Sequence, residues 1–148
     1  MTARRDAWWV VAVVLVTGAV SAADPDPNLD AVQTVCGRCH TTAVFLDEPR
    51  SWDRWNDVFA DMTQRGANGT DEQLERVTTY FLENLTFVNV NTSPADEIAG
   101  VLGVGDDVAG AIIASRQRQP FSNLAELRAV AGVDPAKLEL RKSRILFN

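Results

Sequence analysis

The residues best suited to chemistry stand together in the run Cys36-Gly37-Arg38-Cys39-His40, which holds both cysteines and the single histidine of the 148-residue chain. Two thiols at this separation can each add across one vinyl group of a haem. The residue that follows them then lies beneath the iron as an imidazole ligand. The spacing therefore predicts one haem c per chain, bound covalently through Cys36 and Cys39, with His40 as the proximal axial ligand.

Two other uses of these side chains fit the sequence less well. A structural zinc site normally takes four protein ligands, and the chain offers only two cysteines and one histidine. A disulfide or a thioredoxin-like redox pair stays open as an alternative. However, no βαβ pattern surrounds the motif, and the adjacent histidine would then have no role.

The distal side of such an iron has one candidate of the usual ligand type, because the only other methionine, Met1, belongs to a predicted signal segment. We therefore predict Met62 as the distal axial ligand. The alternatives are a lysine, an asparagine, a water molecule or an open position, with Met62 as a core-filling residue. With two protein ligands the iron would have no vacant position. We therefore predict an electron carrier rather than an enzyme. An open position would allow peroxidase-like activity, but the chain has no second histidine to serve as a distal acid or base.

Helical signals surround these residues, and 46% hydrophobic with 23% charged residues is an ordinary globular balance. A first helix is predicted from Leu29 into the motif, a second after Ser51, and a third from the capping box at residues 70–73. The predicted fold class is all-α. Three aromatic residues share one face of the second helix and are candidates for packing on the porphyrin, or equally for an ordinary helical core: Trp52, Trp55 and Phe59.

Residues 24–87 resemble the small monohaem c-type cytochromes, over about residues 29–85. The resemblance lies in CGRCH, in the spacing of Trp52, Trp55, Phe59 and Met62, and in a closing helix that contains Tyr80-Phe81-Leu82. It implies a helical shell around one haem and a role in carrying single electrons.

Residues 88–148 form a second predicted module of two helix-turn-helix pairs. The turns are Gly103-Val104-Gly105 and a related stretch around Gly132. This module resembles the tandem helix-hairpin-helix domains of exported DNA receptors of natural competence. In DNA-binding members the hairpin backbone N–H groups contact phosphate. The resemblance therefore makes four residues candidates for hairpin contacts: Gly103, Val104, Gly105 and Gly132.

Charge argues against DNA as the partner. Residues 24–87 carry five arginines against twelve acidic residues, a net of −7, and residues 88–148 carry seven of each sign. Asp106, Asp107 and Asp134 also stand at the hairpins, where they would repel phosphate or serve as helix caps. A local basic face could still form from a few residues: Arg116, Arg118, Arg141, Lys142 and Arg144.

Protein docking is the preferred role for this second module, since the same fold in a small extrinsic subunit of photosystem II binds protein. Docking would hold the cytochrome beside a periplasmic dehydrogenase or a membrane oxidase. An acidic face could steer it towards a basic partner: Asp47, Glu48, Asp53, Asp57 and Asp61. The alternative is an exported DNA-binding protein whose haem is structural or redox-sensing.

The N-terminus predicts export. Arg4 and Arg5 precede an apolar stretch at residues 7–20 and small residues at 21–23, which is typical of a cleavable secretory signal over residues 1–23. An uncleaved anchor is the alternative, although the stretch is shorter than the roughly 20 apolar residues that a span needs. No later stretch is apolar enough to span a membrane. We therefore expect a periplasmic protein with no transmembrane segment once the signal is removed.

Overall fold

The computed structural model describes residues 25–148, and the predicted signal at residues 1–23 lies outside them. Within the described residues the fold is mostly helical, as predicted, with seven α-helices. The first three helices are α1 (Pro27–Cys36), α2 (Trp52–Gln64) and α3 (Asp71–Leu85). The last four are α4 (Ala95–Leu102), α5 (Asp106–Arg118), α6 (Leu124–Arg128) and α7 (Pro135–Arg141).

Helix α1 begins two residues before the predicted start and ends at the first cysteine. The Asp26 side chain accepts a hydrogen bond from the backbone N–H of Asn28, which satisfies one donor of the first turn. Gly37 closes the helix, and a Cβ at this position would collide with the carbonyl oxygen of Gln33. A glycine between the two cysteines is therefore what lets the chain leave the helix in a tight turn.

Helices α2 and α3 begin at the predicted caps. The Ser51 side chain accepts from the N–H of Arg54. Thr70 and Gln73 form the reciprocal capping box that the sequence predicts. Helices α1 and α3 pack against each other, and α2 contributes Trp55 to their shared core. The buried residues of this first core are Ala31, Val32, Val35, Trp55, Val77, Phe81 and Leu85.

The second core lies among α4 to α7. Gly103 ends α4 in the left-handed region at φ 64° and Gly132 precedes α7 at φ 87°, so the two predicted hairpin turns are present. Asn123 caps α6, and Asp134 caps α7, which is one of the two roles that the sequence predicted for it. The largest fully buried side chains of this core are Ile98, Leu102, Ile112, Leu127 and Leu138, and the larger Phe121 ring is buried with them at 4% exposure.

A small parallel sheet was not predicted and corrects the all-α assignment. Strands β1 (Arg50–Ser51), β2 (Thr86–Asn89) and β3 (Ile145–Leu146) lie side by side in that order. Arg50 pairs with Thr86 and Val88 pairs with Ile145. Two-residue strands leave no readable alternation in a sequence, which is why β1 and β3 escaped prediction.

The predicted boundary between residues 87 and 88 falls within β2, and side chains cross it. The Arg144 guanidinium donates to the carbonyl oxygens of Leu82, at 3.4 Å, and Thr86, at 3.1 Å, and also to that of Glu83. The last carbonyls of a helix have no partner within the helix. The C-terminal end of α3 is therefore capped by a residue near the end of the chain, which ties the two cores together.

Candidate cofactor cleft and hairpin surface

The turn that follows α1 displays the motif residues. Cys36 is half-buried in the last position of the helix, whereas Cys39 and His40 are exposed in the turn. His40 Nδ1 lies 3.1 Å from the carbonyl oxygen of Thr41. Because a carbonyl oxygen only accepts hydrogen bonds, this contact is a hydrogen bond in the tautomer that carries its hydrogen on Nδ1. The neutral ring then keeps a lone pair on Nε2, the nitrogen that can bind a metal.

The thiols are free in the structure, and Cys36 is the more protected of the two. Burial raises the pKa of the Cys36 thiol above its ordinary value. The thiol therefore stays protonated at neutral pH, which makes it a weak nucleophile toward other thiols and disulfides.

One cleft brings the predicted ligands together. Its volume is about 730 Å³, within the usual range for small-molecule sites, and its lining is mostly apolar. Cys36, Cys39 and His40 lie on one part of its lining, and Met62 of α2 contributes to the same cleft although it is 22 residues away from His40 in the chain. This arrangement of two thiols, an imidazole and a thioether around an apolar space could hold a flat, metal-containing cofactor.

Aromatic rings form much of the cleft lining. Trp55 and Phe59 line it, whereas Trp52 is not on the lining and packs against Phe59 with ring centroids 6.0 Å apart. Their packing on a porphyrin stays a prediction. Two aromatic lining residues, Phe45 and Phe81, were not among the predicted site residues. Phe45 follows the motif by five residues and makes an edge contact with the His40 ring at 6.1 Å. Phe81 lies in the closing helix that contains Tyr80-Phe81-Leu82, but its place on the cleft was not visible in the sequence.

Two arginines and one acid are the charged residues on the cleft. The Arg50 guanidinium lies 5.1 Å from the centroid of the buried Trp55 ring and also pairs with Glu48 at 2.6 Å. Arg65 pairs with Asp61 at 2.9 Å. The Asp61 hydrogen bond and charge raise the pKa of Arg65. The cleft therefore offers cations along its edge for an anionic substituent of a bound ligand.

Within residues 25–148, no three His, Cys, Asp or Glu side chains converge on a point where they could hold a metal ion by themselves.

The first hairpin has an open helix end. Gly105 precedes α5 without a side-chain cap, and Asp106 with Asp107 forms the first turn. The Lys137 ammonium donates to the Gly103 carbonyl oxygen at 2.8 Å. The Arg141 guanidinium packs over Gly103, where a Cβ would lie 3.0 Å from it. Two positive side chains of α7 therefore lie against the first hairpin turn at Gly103.

The second hairpin is closed by its own residues. The Asp134 side chain accepts from the N–H of Ala136 at 2.8 Å and so occupies the first turn of α7. Gly132 lies against Val108 of α5, and a Cβ at Gly132 would come within 2.6 Å of the valine methyl group. Packing, rather than ligand contact, explains this glycine.

Some members of the predicted basic face have structural roles. Arg116 donates to the carbonyl oxygens of Val90, at 3.0 Å, and Ser93, at 2.7 Å. Arg144 is 9% exposed and caps α3. Lys142 pairs with Glu139. Little of that predicted positive surface is left for a polyanion.

Comparison with known protein families matches residues 83–145 to the helix-hairpin-helix motif. This part of the chain is therefore a helix-hairpin-helix domain, as the sequence predicted, and such a domain is consistent with binding either DNA or protein. No curated protein and no solved structure matches the chain. In the described part of the chain no single helix is both long enough and apolar enough to cross a membrane.

Proposed function

We propose that the chain is an exported c-type cytochrome that carries single electrons between redox partners. Cys36 and Cys39 would hold one haem c covalently, and His40 and Met62 would be its iron ligands. The observation that carries this proposal is that all four side chains line one mostly apolar cleft. Residue chemistry alone led us to expect the four side chains close together. Met62 reaches the cleft from α2, whereas the motif follows α1.

The lining of the cleft fits a porphyrin. Four aromatic side chains offer large flat apolar surfaces: Phe45, Trp55, Phe59 and Phe81. Val44 and Leu74 also line the cleft and are 57% and 44% exposed in the protein alone. A bound ring would cover these side chains, and each apolar area of this kind stabilises a complex by roughly 25 cal/mol per Å² removed from water.

Each side chain around the cleft would have a distinct role in holding the haem. The Thr41 carbonyl orients the His40 ring, with Nε2 left to bind iron. The Met62 thioether would fill the opposite position and the aromatic walls would exclude water. When bound, haem supplies a one-electron iron couple, whose reduced form is favoured by thioether ligation. Because both axial positions would be filled by protein, we do not expect an enzyme.

Haem attachment can be measured directly. The full chain, produced with its signal in a bacterium that has haem-attachment machinery, should carry one haem that survives denaturation. Mass spectrometry and the alkaline pyridine spectrum would detect it. The double variant Cys36→Ser/Cys39→Ser should carry none. A wild-type protein recovered without covalent haem under these conditions would overturn the proposal.

The distal ligand requires a separate pair of variants. Met62→Ala should abolish the near-infrared band that methionine gives when bound to ferric haem iron. Leu74→Ala is the matched control because Leu74 lines the same cleft but has no ligand atom. Retention of the band in Met62→Ala would assign the distal position to another group.

The helix-hairpin-helix domain would serve as the docking element for a redox protein, a periplasmic dehydrogenase or a membrane oxidase. Arg116 and Arg144 donate to backbone carbonyls, so this domain presents few side chains suited to polyanions. The acidic residues of the α2 region would steer association with a basic partner. Neutralising Asp47, Asp53 and Asp57 together should slow electron exchange with a basic cytochrome at low salt, whereas Glu75→Gln should not. Equal rates of electron exchange in the triple variant and in Glu75→Gln would contradict the steering role.

DNA binding is the second candidate. The hairpin turn that leads into the uncapped N-terminus of α5 is in contact with Lys137 and Arg141. This favours DNA, since backbone N–H groups and cations together bind phosphate. A gel shift with duplex DNA over a range of salt concentrations separates the two roles. No shift at low salt would exclude DNA. A shift that Lys137→Gln/Arg141→Gln abolishes would replace the docking proposal.

A further inference from the structure

Arg38, one of the two residues between the cysteines, bonds to two separate parts of the chain. Its Nε donates to the Thr34 carbonyl oxygen at 3.1 Å, within the last turns of α1. Its Nη1 donates to Asn68 Oδ1 at 2.9 Å. The side chain thus reaches from the turn that bears the motif to a loop 30 residues further along the chain.

The loop that contains Asn68 begins where α2 ends, a few residues after Met62. Asn68 Nδ2 donates to the Gly66 carbonyl oxygen at 3.0 Å, which fixes the amide orientation so that Oδ1 faces Arg38. The N–H of Ala67 donates to the Met62 carbonyl oxygen at 2.9 Å. The loop is therefore folded back onto the last turn of α2.

The two segments also touch through close packing. A Cβ at Gly69 would lie 3.0 Å from a methyl group of Val35, the residue before the first cysteine. In residues 25–148, no hydrogen bond other than Arg38 to Asn68 joins residues 36–40 to residues 62–70. The Arg38–Asn68 hydrogen bond is thus the polar link between the motif turn and the loop after α2, and Val35 lies close to that loop.

We infer that Arg38 and Asn68 form a clamp, a pair of positioning residues that keeps Met62 on the cleft that His40 also lines. Neither residue lines the cleft, so the clamp acts through the loop and not by touching the cofactor. This inference rests on the proposed function, because it concerns the geometry of the two proposed iron ligands. It assigns a specific role to Arg38, which the motif leaves open, and to a loop asparagine that no motif marks.

An opened clamp should let Met62 leave the iron more often, so an added ligand that competes with Met62 should bind more tightly. Imidazole is a suitable probe with the ferric holoprotein. Arg38→Gln and Asn68→Ala should each raise imidazole affinity about threefold to tenfold, which is the range expected for losing one hydrogen bond at an exposed site. The imidazole affinity of the double variant should be no higher than that of the single variant with the larger effect, since both changes break the same hydrogen bond.

Two control variants separate the clamp from general effects of charge and stability. Arg76→Gln removes an exposed arginine that pairs with Glu72 at 2.8 Å on α3, away from the cleft, and should leave imidazole affinity unchanged. Asn68→Asp keeps the acceptor for Arg38 and should stay within about twofold of wild type. If Arg38 and Asn68 only stabilised the fold, their variants would unfold at a lower midpoint, but imidazole affinity would not rise in the two single variants and stay at wild-type level in the controls.

The outcomes distinguish the two proposals. A wild-type protein without covalent haem would overturn the proposed function and the clamp with it. Haem without a methionine band in the wild type would overturn the clamp and the Met62 assignment, while covalent haem attachment would stand. With the band present, additive effects of Arg38→Gln and Asn68→Ala, or an effect of Arg76→Gln of the same size, would also overturn the clamp.

Discussion

The indole nitrogen of Trp55 donates a hydrogen bond to the carbonyl oxygen of Leu85 at 2.7 Å. Trp55 lies on α2 and is 1% exposed, and Leu85 is the last residue of α3. One face of the same ring lies on the cleft, and the Arg50 guanidinium is stacked over it. A single aromatic side chain therefore joins the candidate cofactor cleft to the end of the helix from which the helix-hairpin-helix domain continues.

Replacing Trp55 with phenylalanine should destabilise the protein by about 1–3 kcal/mol, because a buried carbonyl oxygen loses its donor while much of the ring volume stays. Urea unfolding followed by circular dichroism would measure this loss. Trp52→Phe is the matched control, since Trp52 is only half-buried and packs against Phe59 without such a bond. Equal losses in the two variants would show that volume, not the hydrogen bond, matters at Trp55.

Replacing Arg144 with methionine should cost about 2–3 kcal/mol, since a guanidinium that donates to three carbonyl oxygens of the α3 end is lost. Burial lowers the pKa of Arg144, yet an arginine stays charged at neutral pH. Unfolding monitored by tryptophan fluorescence reports the first core, which contains the described tryptophans. We expect Arg144→Met to lower its midpoint, and Arg118→Met, at an exposed site, to leave it in place.

Gly37→Ala should destabilise the protein by about 1–3 kcal/mol, because the new Cβ would meet the Gln33 carbonyl oxygen and force the motif turn to shift. Gly110→Ala is the opposite test within α5, where a Cβ meets no atom within 4 Å. It should stabilise by roughly 0.5–1 kcal/mol, the usual gain of alanine over glycine in a helix. Thermal unfolding of both variants would reveal the difference in sign.

Glu97 should make the fold less stable as pH rises through the acidic range. Its pKa is raised mainly by burial and further by the charges of Asp53 and Asp96, against a hydrogen bond from Ser93. When the folded-state pKa of a carboxyl group is the higher one, the group does not lower the free energy of unfolding at a pH below its unfolded pKa. The full loss of stability is present at a pH above its folded pKa. Glu97→Gln should therefore raise the unfolding temperature at pH 7 and leave it nearly unchanged at pH 4.

A carboxyl group with the opposite shift provides the control for that pH dependence. The hydrogen bond from Lys142 and its charge lower the pKa of Glu139, so this group contributes stability above its unfolded pKa and loses it as pH falls. Glu139→Gln should therefore not stabilise the protein at pH 7. A gain at pH 7 in both variants would point to a general effect of the reduced negative charge.

Local signals in the sequence located the helices well. Ser51, Thr70 with Gln73, and Asp134 act as caps at their predicted positions, because each satisfies backbone groups within a few residues of itself. Met62 and the motif residues meet on one cleft because the aromatic stripe of α2 sets which side of that helix faces the core.

Long-range features were not predictable in the same way. Arg144 was assigned to a basic surface, whereas it is buried against the carbonyl end of a helix some 60 residues earlier. Strands β1 and β3 exist because β2 lies between them, and nothing in two residues signals such pairing. Asn68 likewise has a partner only because α1 and α2 bring their ends together.

The sheet has a consequence for solubility. Its central strand is paired on both sides, and β1 and β3 are two residues long. Unpaired strand edges are templates on which other chains can aggregate, and short edges offer few hydrogen bonds for that purpose. The fold therefore presents other chains with little strand edge to which they could add, which disfavours aggregation by strand pairing.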